Sequence, residues 1–523
     1  MTLLRRVMLG LFACSALATS AVAEPMPHLA GENGHYQLEV NGKPFFVLAA
    51  QMHNSSAWQS TLPEFWKVAK KLNVNTVQAP VYWETMEPEP GKFDFSGVDS
   101  LIDGARAHHV RLMLLWFGTW KNGAGHYVPL WMKRDTAHYP RLLDADHHPL
   151  DGMSPFGHET LERDKAAFTA LMRHLAAYDA TQHTVIMVQV ENEPGLLGTV
   201  RDHGKAAEEA FAGPVPDDVL KATHKSSGTW QEVYGDEAAE LFSAWAVSRY
   251  INQVATAGKA AYPLPLYVNV WLRYHGLTQP GVEYPSGGAT VNVLDLWKAQ
   301  SPSIDVIGTD SYTTQLAEIH NGVLPYQRKD NPPWLSESGI TLPSTRWTFD
   351  FLARGGIGAS VFGVDDPNHE EAIAAHGADN ALLSPLLPIL VEKAQVGDVV
   401  ALLQEPSVPS PVHEFGSWAV RGSFGAQWGS GDPAFTPENI GKVGRAIVAR
   451  LDPTHFLVVG RGMRVSFLPR SHDLKVHEVE RVEQGNFDSE DHWEASRIWN
   501  GDESDYGLDL PEDGAVLRVE VTP

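Results

Sequence analysis

The sequence predicts a (β/α)8 barrel followed by a C-terminal all-β sandwich domain. Three observations carry this. Eight short apolar runs recur between residues 45 and 363, helical patterns lie between them, and after residue 406 the chain turns to Gly, Pro and short alternating stretches. Runs apolar on both faces suit a parallel sheet covered by helices, and strands alternating with helices indicate βαβ units. A chain of 523 residues then fits two domains behind a leader.

The leader is expected over residues 1–23. Arg5 and Arg6 precede an apolar stretch over 7–18, and Ala21-Val22-Ala23 precedes Glu24-Pro25. A basic start, a short apolar core and an A-x-A end describe a secretory signal peptide, and the apolar run is short for a membrane span. Export to the periplasm or beyond the cell is therefore expected. A lipid-anchoring reading of Leu11-Phe12-Ala13-Cys14 is weaker, because Phe12 fits it poorly. Cys14 is the only cysteine. Beyond the leader no thiol remains for a disulfide, a metal or nucleophilic attack.

The barrel is expected over 24–405. Its strands are read at 45–50, 74–82, 111–117, 185–190, 266–272, 304–308, 333–336 and 357–363. Helical spacing of apolar residues appears at 63–72, which opens on Pro63, and at 98–109, 161–178, 237–257 and 293–299. A last helix is expected over 384–404, opening on Ser384-Pro385. The strand-like stretches 418–422, 454–460, 463–468 and 515–521 then predict a β-sandwich within 406–523.

The net charge is −24, and loss of Arg5 and Arg6 with the leader makes it −26. An acidic surface argues against nucleic acid or an anionic membrane as partner and suits a neutral substrate such as a sugar. No later apolar run has transmembrane length. Nothing in the sequence speaks to oligomeric state.

In a (β/α)8 barrel the chemistry sits at the C-terminal ends of the strands. The fourth run ends Val188-Gln189-Val190-Glu191-Asn192-Glu193-Pro194-Gly195, and the seventh ends Leu335-Ser336-Glu337-Ser338-Gly339. Carboxylates are costly at the end of a buried strand unless something uses them. Strands four and seven lie on opposite sides of the barrel, so these groups can face each other across its mouth. Two facing carboxyl groups are what glycoside hydrolysis requires: one protonated to serve the leaving oxygen, the other ionised. A separation near 5 Å gives retention of configuration, and a wider one inversion. Glu191 and Glu193 are two residues apart, so strand alternation puts both on one side and does not choose between them.

Asn-Glu at the end of strand four with Glu at the end of strand seven is similar to the pattern of the large clan of retaining (β/α)8 glycosidases. The resemblance implies that Glu193 is the acid/base, Glu337 the nucleophile and Asn192 the partner of the sugar 2-hydroxyl. The stretch Tyr82-Trp83-Glu84-Thr85-Met86-Glu87-Pro88-Glu89-Pro90-Gly91-Lys92-Phe93-Asp94-Phe95-Ser96-Gly97 resembles the strand-two signature of family 35 β-galactosidases. Tyr82 and Glu84 would reach the pocket, while 88–97 forms a rigid turn and packs the next helix. The chain departs from that family in three places, one of them the first strand, where Ala49-Ala50-Gln51-Met52-His53-Asn54 is only loosely similar to the family's Gly-rich, His-containing version. Trp83-Glu84-Thr85-Met86-Glu87-Pro88 stands where Trp-Asn-x-His-Glu-Pro is usual, and Pro194 where an aromatic residue is usual. Such changes bear on sugar contacts more than on the carboxylate pair. They resemble a divergent bacterial branch with one small β-domain, associated with removing galactose from plant polysaccharides such as xyloglucan.

Further candidates lie near strand ends. Trp116 and Trp271 offer faces for sugar stacking, as do Trp120 and Trp334. Tyr312, closing Asp310-Ser311-Tyr312, could donate to the nucleophile, and Asn269 could bind a hydroxyl. Asp365-Asp366 is read as a loop salt bridge. His108-His109 and His147-His148 are adjacent pairs, which do not share a helix face. No metal is expected, no phosphate loop or Gly-x-Ser-x-Gly elbow is present, and no cofactor is required. The expected function is a secreted retaining exo-glycosidase acting on terminal β-galactosyl residues of oligo- or polysaccharides. The alternatives are a β-glucosidase, β-mannosidase or endo-glucanase of the same mechanism, or a non-catalytic carbohydrate-binding protein.

Overall fold

The computed structural model describes residues 25–405, 412–424, 443–470, 478–488 and 492–522. The leader expected over 1–23, with Cys14, lies outside them. Eight parallel strands close a barrel in chain order: β1 (Val47–Gln51), β2 (Thr76–Tyr82), β3 (Arg111–Lys121), β4 (Val185–Asn192), β5 (Leu266–Trp271), β6 (Val306–Ser311), β7 (Trp334–Ser338) and β8 (Gly358–Phe362). β8 pairs with β1 to complete the ring. Each apolar run read from the sequence overlaps one of these strands, five of which continue past the expected C-terminal end.

The alternation of side chains divides the strands between two cores. Tyr82, Leu115, Phe117, Met187, Tyr267 and Trp334 fill the interior. Trp116, Val188 and Leu335 face the surrounding helices. Helix Leu62–Lys71 buries Leu62, Phe65, Trp66 and Ala69, a stripe at three- and four-residue spacing behind Pro63 in its first turn. Helices Ser96–Ala107, His158–Tyr178, Ala238–Ala261 and Leu294–Gln300 occupy the other expected positions.

The structure adds a three-stranded antiparallel sheet at the barrel's entry, over His28–Glu32, His35–Val40 and Lys43–Phe45. Its turns are Asn33-Gly34 and Asn41-Gly42, with φ of 56° and 92°, then 56° and 71°. Glycine and asparagine tolerate this left-handed region, which tight hairpins need. Leu38 and Val40 join the interior core with Val306 and Ile357, at the N-terminal ends of β6 and β8. The small sheet thus closes the barrel's base.

The helix expected over 384–404 is shorter. It runs over Leu387–Gln395, Gly397 takes a φ of +77°, and Val399–Leu403 is a strand. A left-handed glycine just past the helix is a stop signal that outweighs the apolar spacing beyond it. That strand opens the C-terminal region ahead of residue 406. It leads a six-stranded antiparallel sheet, followed in spatial order by Arg445–Arg450, His455–Arg461, Ala515–Val521, Val479–Phe487 and Trp493–Ile498. A four-stranded sheet of Val412–Phe415, Trp418–Ser423, Met463–Pro469 and Leu508–Leu510 packs over it. Leu402, Val448, Val458 and Leu517 of the first sheet meet Trp418, Val420, Val465 and Leu508 of the second. This is the expected sandwich.

The other face of the larger sheet buries Ile447, Leu457 and Val459 in the barrel's outer core. The buried Asp379, on helix Glu370–Leu383, pairs there with Arg445 Nε at 2.6 Å and Arg461 Nε at 2.8 Å. Removing one partner of a buried pair costs about 3–5 kcal/mol, and Arg461 remains to share the charge. Arg445→Met is therefore expected to cost about 3 kcal/mol in urea unfolding. A loss below about 0.5 kcal/mol, the scale of an exposed site, would show that the pair does not couple sandwich to barrel.

Candidate active site

β4 decides which carboxylate reaches the mouth. Glu191 has a φ of +64° and Glu193 of +43°. Non-glycine residues adopt this region at a cost of about 1–3 kcal/mol each and persist there only when packing holds them. The Gln189 side chain supplies one brace, donating to the Glu191 carbonyl at 2.8 Å. The turn breaks the strand's alternation, so the two glutamates do not share a side as alternation alone requires.

Glu191 is turned out to helix His158–Tyr178. Its Oε2 accepts the Trp120 N–H at 2.7 Å, and its carboxyl bonds that of Asp164. Asp164 also accepts from Trp116 Nε1 at 2.9 Å, Thr119 Oγ1 at 2.7 Å and Tyr250 OH at 3.2 Å. Both acids are buried, and burial pushes both pKa values up, Glu191 well above its usual value. Glu191 therefore holds a proton and gives it in a hydrogen bond to Asp164. Glu191→Gln preserves that donor. We expect it to keep most of its kcat, whereas Glu193→Gln loses about a hundredfold or more. Equal losses in a steady-state assay would void this division of roles.

Glu193 faces the mouth. Its backbone N–H donates to Asn269 Oδ1 at 2.8 Å. Carboxylate oxygens of Glu193, Asp310 and Glu337 all lie within 4.8 Å of one another, and all three residues are buried. Burial, then the charge of Glu337, raises the Glu193 pKa to about 7, against the pull of Lys121. Glu337 collects four donors. Gln51 Nε2 lies at 2.7 Å, Asn192 Nδ2 at 3.2 Å and Asn269 Nδ2 at 3.4 Å from Oε1, and Tyr312 OH lies at 2.8 Å from Oε2. Hydrogen bonds to the charged form favour ionisation. Burial and the surrounding carboxylates push the Tyr312 phenol far up, so it stays a donor. One carboxyl group thus holds a proton near neutrality while four donors converge on its neighbour, an arrangement suited to acid catalysis with nucleophilic attack. The same three carboxylates are close enough to hold a cation. Each oxygen of Glu337 and Asp310 already accepts a hydrogen bond, as a proton-sharing cluster requires.

The sequence-predicted residues divide three ways. Glu193, Glu337, Asn192, Asn269 and Tyr312 form one hydrogen-bonded cluster. Asn192 Oδ1 is buried and has no hydrogen-bond partner in the protein. Tyr82 is buried at the end of β2, while Glu84 and Trp271 are partly exposed beside the ends of β2 and β5. The Tyr82 hydroxyl accepts the Ala57 N–H at 3.1 Å, and its ring stacks with Trp58 and Tyr127. Glu84 lies 3.8 Å from Lys133 Nζ, and Trp271 is 36% exposed at the end of β5. Trp116 is not at the mouth: it points outward from β3 and serves Asp164. Trp120 and Trp334 are likewise buried, and Asp365 accepts from the His53 backbone N–H at 3.0 Å and lies 3.1 Å from its ring Nδ1.

Sequence reasoning missed Gln51, Asp310 and Lys121. Gln51 and Asp310 each end an apolar run, the same signal that marked Glu193 and Glu337. Lys121 lay beyond the expected third strand, which continues to that residue. Lys121 is buried beside Phe117 and Asn122 and holds the Glu193 pKa down. Glu193 can act as an acid only while protonated, so turnover should fall as pH rises past about 7. Lys121→Met removes a positive charge, raises the Glu193 pKa and moves the alkaline limb of kcat/KM to higher pH. An unmoved or acid-shifted limb would contradict this placement.

Residues 37–261 match the family model described as Glycosyl hydrolases family 35. Over these residues the chain is similar to family 35 glycosyl hydrolases. The match spans β1–β4 with Glu193, and Asp310 and Glu337 lie beyond it. Residues 377–511 match a Domain of unknown function (DUF5597). Two curated relatives are similar to the family 35 region. A β-galactosidase of Xanthomonas manihotis is 29% identical over 225 residues, 39% of this chain and 33% of that protein. Beta-galactosidase 13 of Arabidopsis thaliana is 26% identical over 163 residues, 30% of this chain and 18% of that protein. The chain thus spans a third or less of the length of these relatives. Among solved structures, the β-galactosidase from Bacillus circulans sp. alkalophilus aligns with a TM-score of 0.49 at 14% identity, over 66% of this chain and 57% of that one. No helix among the described residues is long and apolar enough to cross a membrane.

Proposed function

We propose that this chain is an exported retaining exo-β-galactosidase, with Glu193 as acid/base and Glu337 as nucleophile. The observation that carries the reading is the short gap between their carboxyl oxygens, within 4.8 Å. Retention uses a spacing of roughly 5–5.5 Å between carboxyl groups, and inversion roughly 6.5–9.5 Å. Glu337 attacks the anomeric carbon while Glu193 protonates the leaving oxygen, forming a glycosyl-enzyme. Glu193, now ionised, takes a proton from water, which attacks from the same face and restores Glu337. Galactose as the donor sugar draws support from the family 35 match and the curated β-galactosidases. Xyloglucan side chains are the polymeric substrate suggested by the divergent strand-two motif. Export rests on the pattern over 1–23.

The test compares hydrolysis of the nitrophenyl β-galactoside, β-glucoside and β-mannoside, with the first product's anomer read by NMR. Turnover of the galactoside alone, giving β-galactose first, is expected. Preference for another sugar overturns the donor assignment, and an α-anomer first overturns the mechanism. Saturable sugar binding without turnover would instead favour a carbohydrate-binding protein.

A further inference from the structure

We propose that Asp310 is the positioning residue of this site, a carboxylic acid kept protonated that hydrogen-bonds Glu193 and holds it toward the scissile oxygen. The inference rests on the roles proposed above for Glu193 and Glu337.

The geometry is specific. Asp310 stands near the end of β6, buried, between the strands that carry the two reactive glutamates. Its Oδ2 accepts from Asn269 Nδ2 at 2.7 Å and its Oδ1 from Ser336 Oγ at 2.8 Å. It also shares a hydrogen bond with the Glu193 carboxyl. Asn269 in turn accepts from the Glu193 backbone N–H. Asp310 and Asn269 therefore grip Glu193 at both ends of the residue. Two carboxyl groups bond to each other only if one supplies a proton.

The surroundings decide which one. Facing Asp310 are the carboxyl groups of Glu337 and Glu193 and four phenols, those of Tyr312, Tyr267, Tyr274 and Tyr326, each phenol raised in pKa and so uncharged. The side-chain donors it accepts from are neutral, while Lys121 acts on Glu193. Burial and two like charges drive the Asp310 pKa well above its usual value. Three carboxylates this close cannot all ionise, and the least stabilised keeps its proton. Glu337 has four donors and Glu193 has Lys121 nearby, which leaves the proton on Asp310. Glu193 then loses its proton near neutrality, while Asp310 keeps its own. An ionised Asp310 would instead repel both glutamates and hold Glu193 protonated to higher pH, slowing its turn as base.

The test uses Asp310→Asn and Asp310→Ala in the full chain. Asn is neutral, as the protonated acid is, and keeps a donor for Glu193 with a carbonyl for Asn269. The pH profile of kcat/KM should therefore stay within about 0.3 unit of wild type, well inside the unit or more that a like charge at this range imposes. An alkaline limb moved toward acid by about a unit would mean that Asp310 is an anion, and would overturn the proposal. Asp310→Ala should lose about a hundredfold in kcat with KM little changed, since a small misplacement of a reacting group costs that much. Equal losses in Ala and Asn would also overturn it.

Infrared spectroscopy reads the proton without any activity. At pH 9, above the Glu193 pKa of about 7, the wild-type minus Asp310→Asn difference spectrum should retain a carboxylic-acid carbonyl band. Its absence sinks the proposal. If no β-galactoside turns over, the functional reading fails while the band still reports on Asp310. Should Asp310→Asn not fold, Ser336→Ala removes one donor and must shift the band's frequency without abolishing it; a spectrum without any such shift refutes the assignment. Loss of activity on EDTA treatment, restored by a divalent cation, would put a metal ion in place of the proton.

Discussion

Glu337→Gln is expected to leave at most about one ten-thousandth of wild-type kcat on any β-galactoside, the scale seen when a covalent nucleophile is removed. The substitution keeps the side chain's shape and the acceptor for Tyr312 or Gln51. It removes the negative charge on which Gln51, Asn192, Asn269 and Tyr312 converge. The neutral amide cannot displace an alkoxide, so both half-reactions lose their covalent path. It also relieves Glu193 of its charged neighbour, so the Glu193 pKa falls. Residual activity should therefore peak at lower pH than in wild type. Steady-state rates on the nitrophenyl galactoside, with a melting curve to confirm folding, check this. Retention of more than about 1% of kcat would mean that the nucleophile is elsewhere, since removing one costs orders of magnitude more.

Glu193→Ala should cost about 10²–10⁴-fold in kcat on substrates with poor leaving groups, the range for one general acid. At 1.36 kcal/mol per tenfold this is about 3–5 kcal/mol of barrier. Nitrophenyl leaving groups need little protonation, so their first step should survive and the galactosyl-enzyme should accumulate as a burst. Azide needs no general base and fits the space left by the carboxylate. It should restore turnover and yield β-galactosyl azide, with retention because attack comes from the face Glu193 occupied. An α-azide would place Glu193 on the opposite face and exchange its role with that of Glu337. Failure of rescue together with loss of the burst would leave Glu193 without either role.

The barrel was legible because its strands are apolar on both faces and its helices are not, a contrast that survives without any knowledge of packing. Residues 399–403 were not, because Val-Val-Ala-Leu-Leu reads equally as helix or strand and only the left-handed Gly397 breaks the tie. The entry sheet over 28–45 had a readable signal in Asn33-Gly34 and Asn41-Gly42, each a tight-hairpin dipeptide between short strands. The site was legible where a polar residue ended an apolar run, which found Glu193 and Glu337 and should have found Gln51 and Asp310 by the same rule. Trp116 shows the rule's limit: proximity to a strand end says nothing about direction, and its neighbours Leu115 and Phe117 face the interior instead. Glu191 shows a deeper one. Period-two alternation assumes extended backbone, and two positive φ values within three residues cancel it. Only coordinates reveal that the first glutamate of Glu-Asn-Glu belongs to the barrel's exterior.

The pairing of β8 with β1 has a consequence for biosynthesis. Val47–Gln51 hydrogen-bonds Gly358–Phe362, a partner some three hundred residues downstream. At about 5–20 residues per second, the first strand leaves the ribosome roughly 15–60 s before its second neighbour exists. During that interval an apolar five-residue edge stands open to any other unfinished chain, the hazard that natural sheets usually blunt with charge or cover. This edge carries neither, since Val-Leu-Ala-Ala-Gln has no ionisable side chain. Yield of folded protein should therefore depend steeply on nascent-chain crowding, and holdase chaperones that bind early should matter more than those that act on the finished polypeptide.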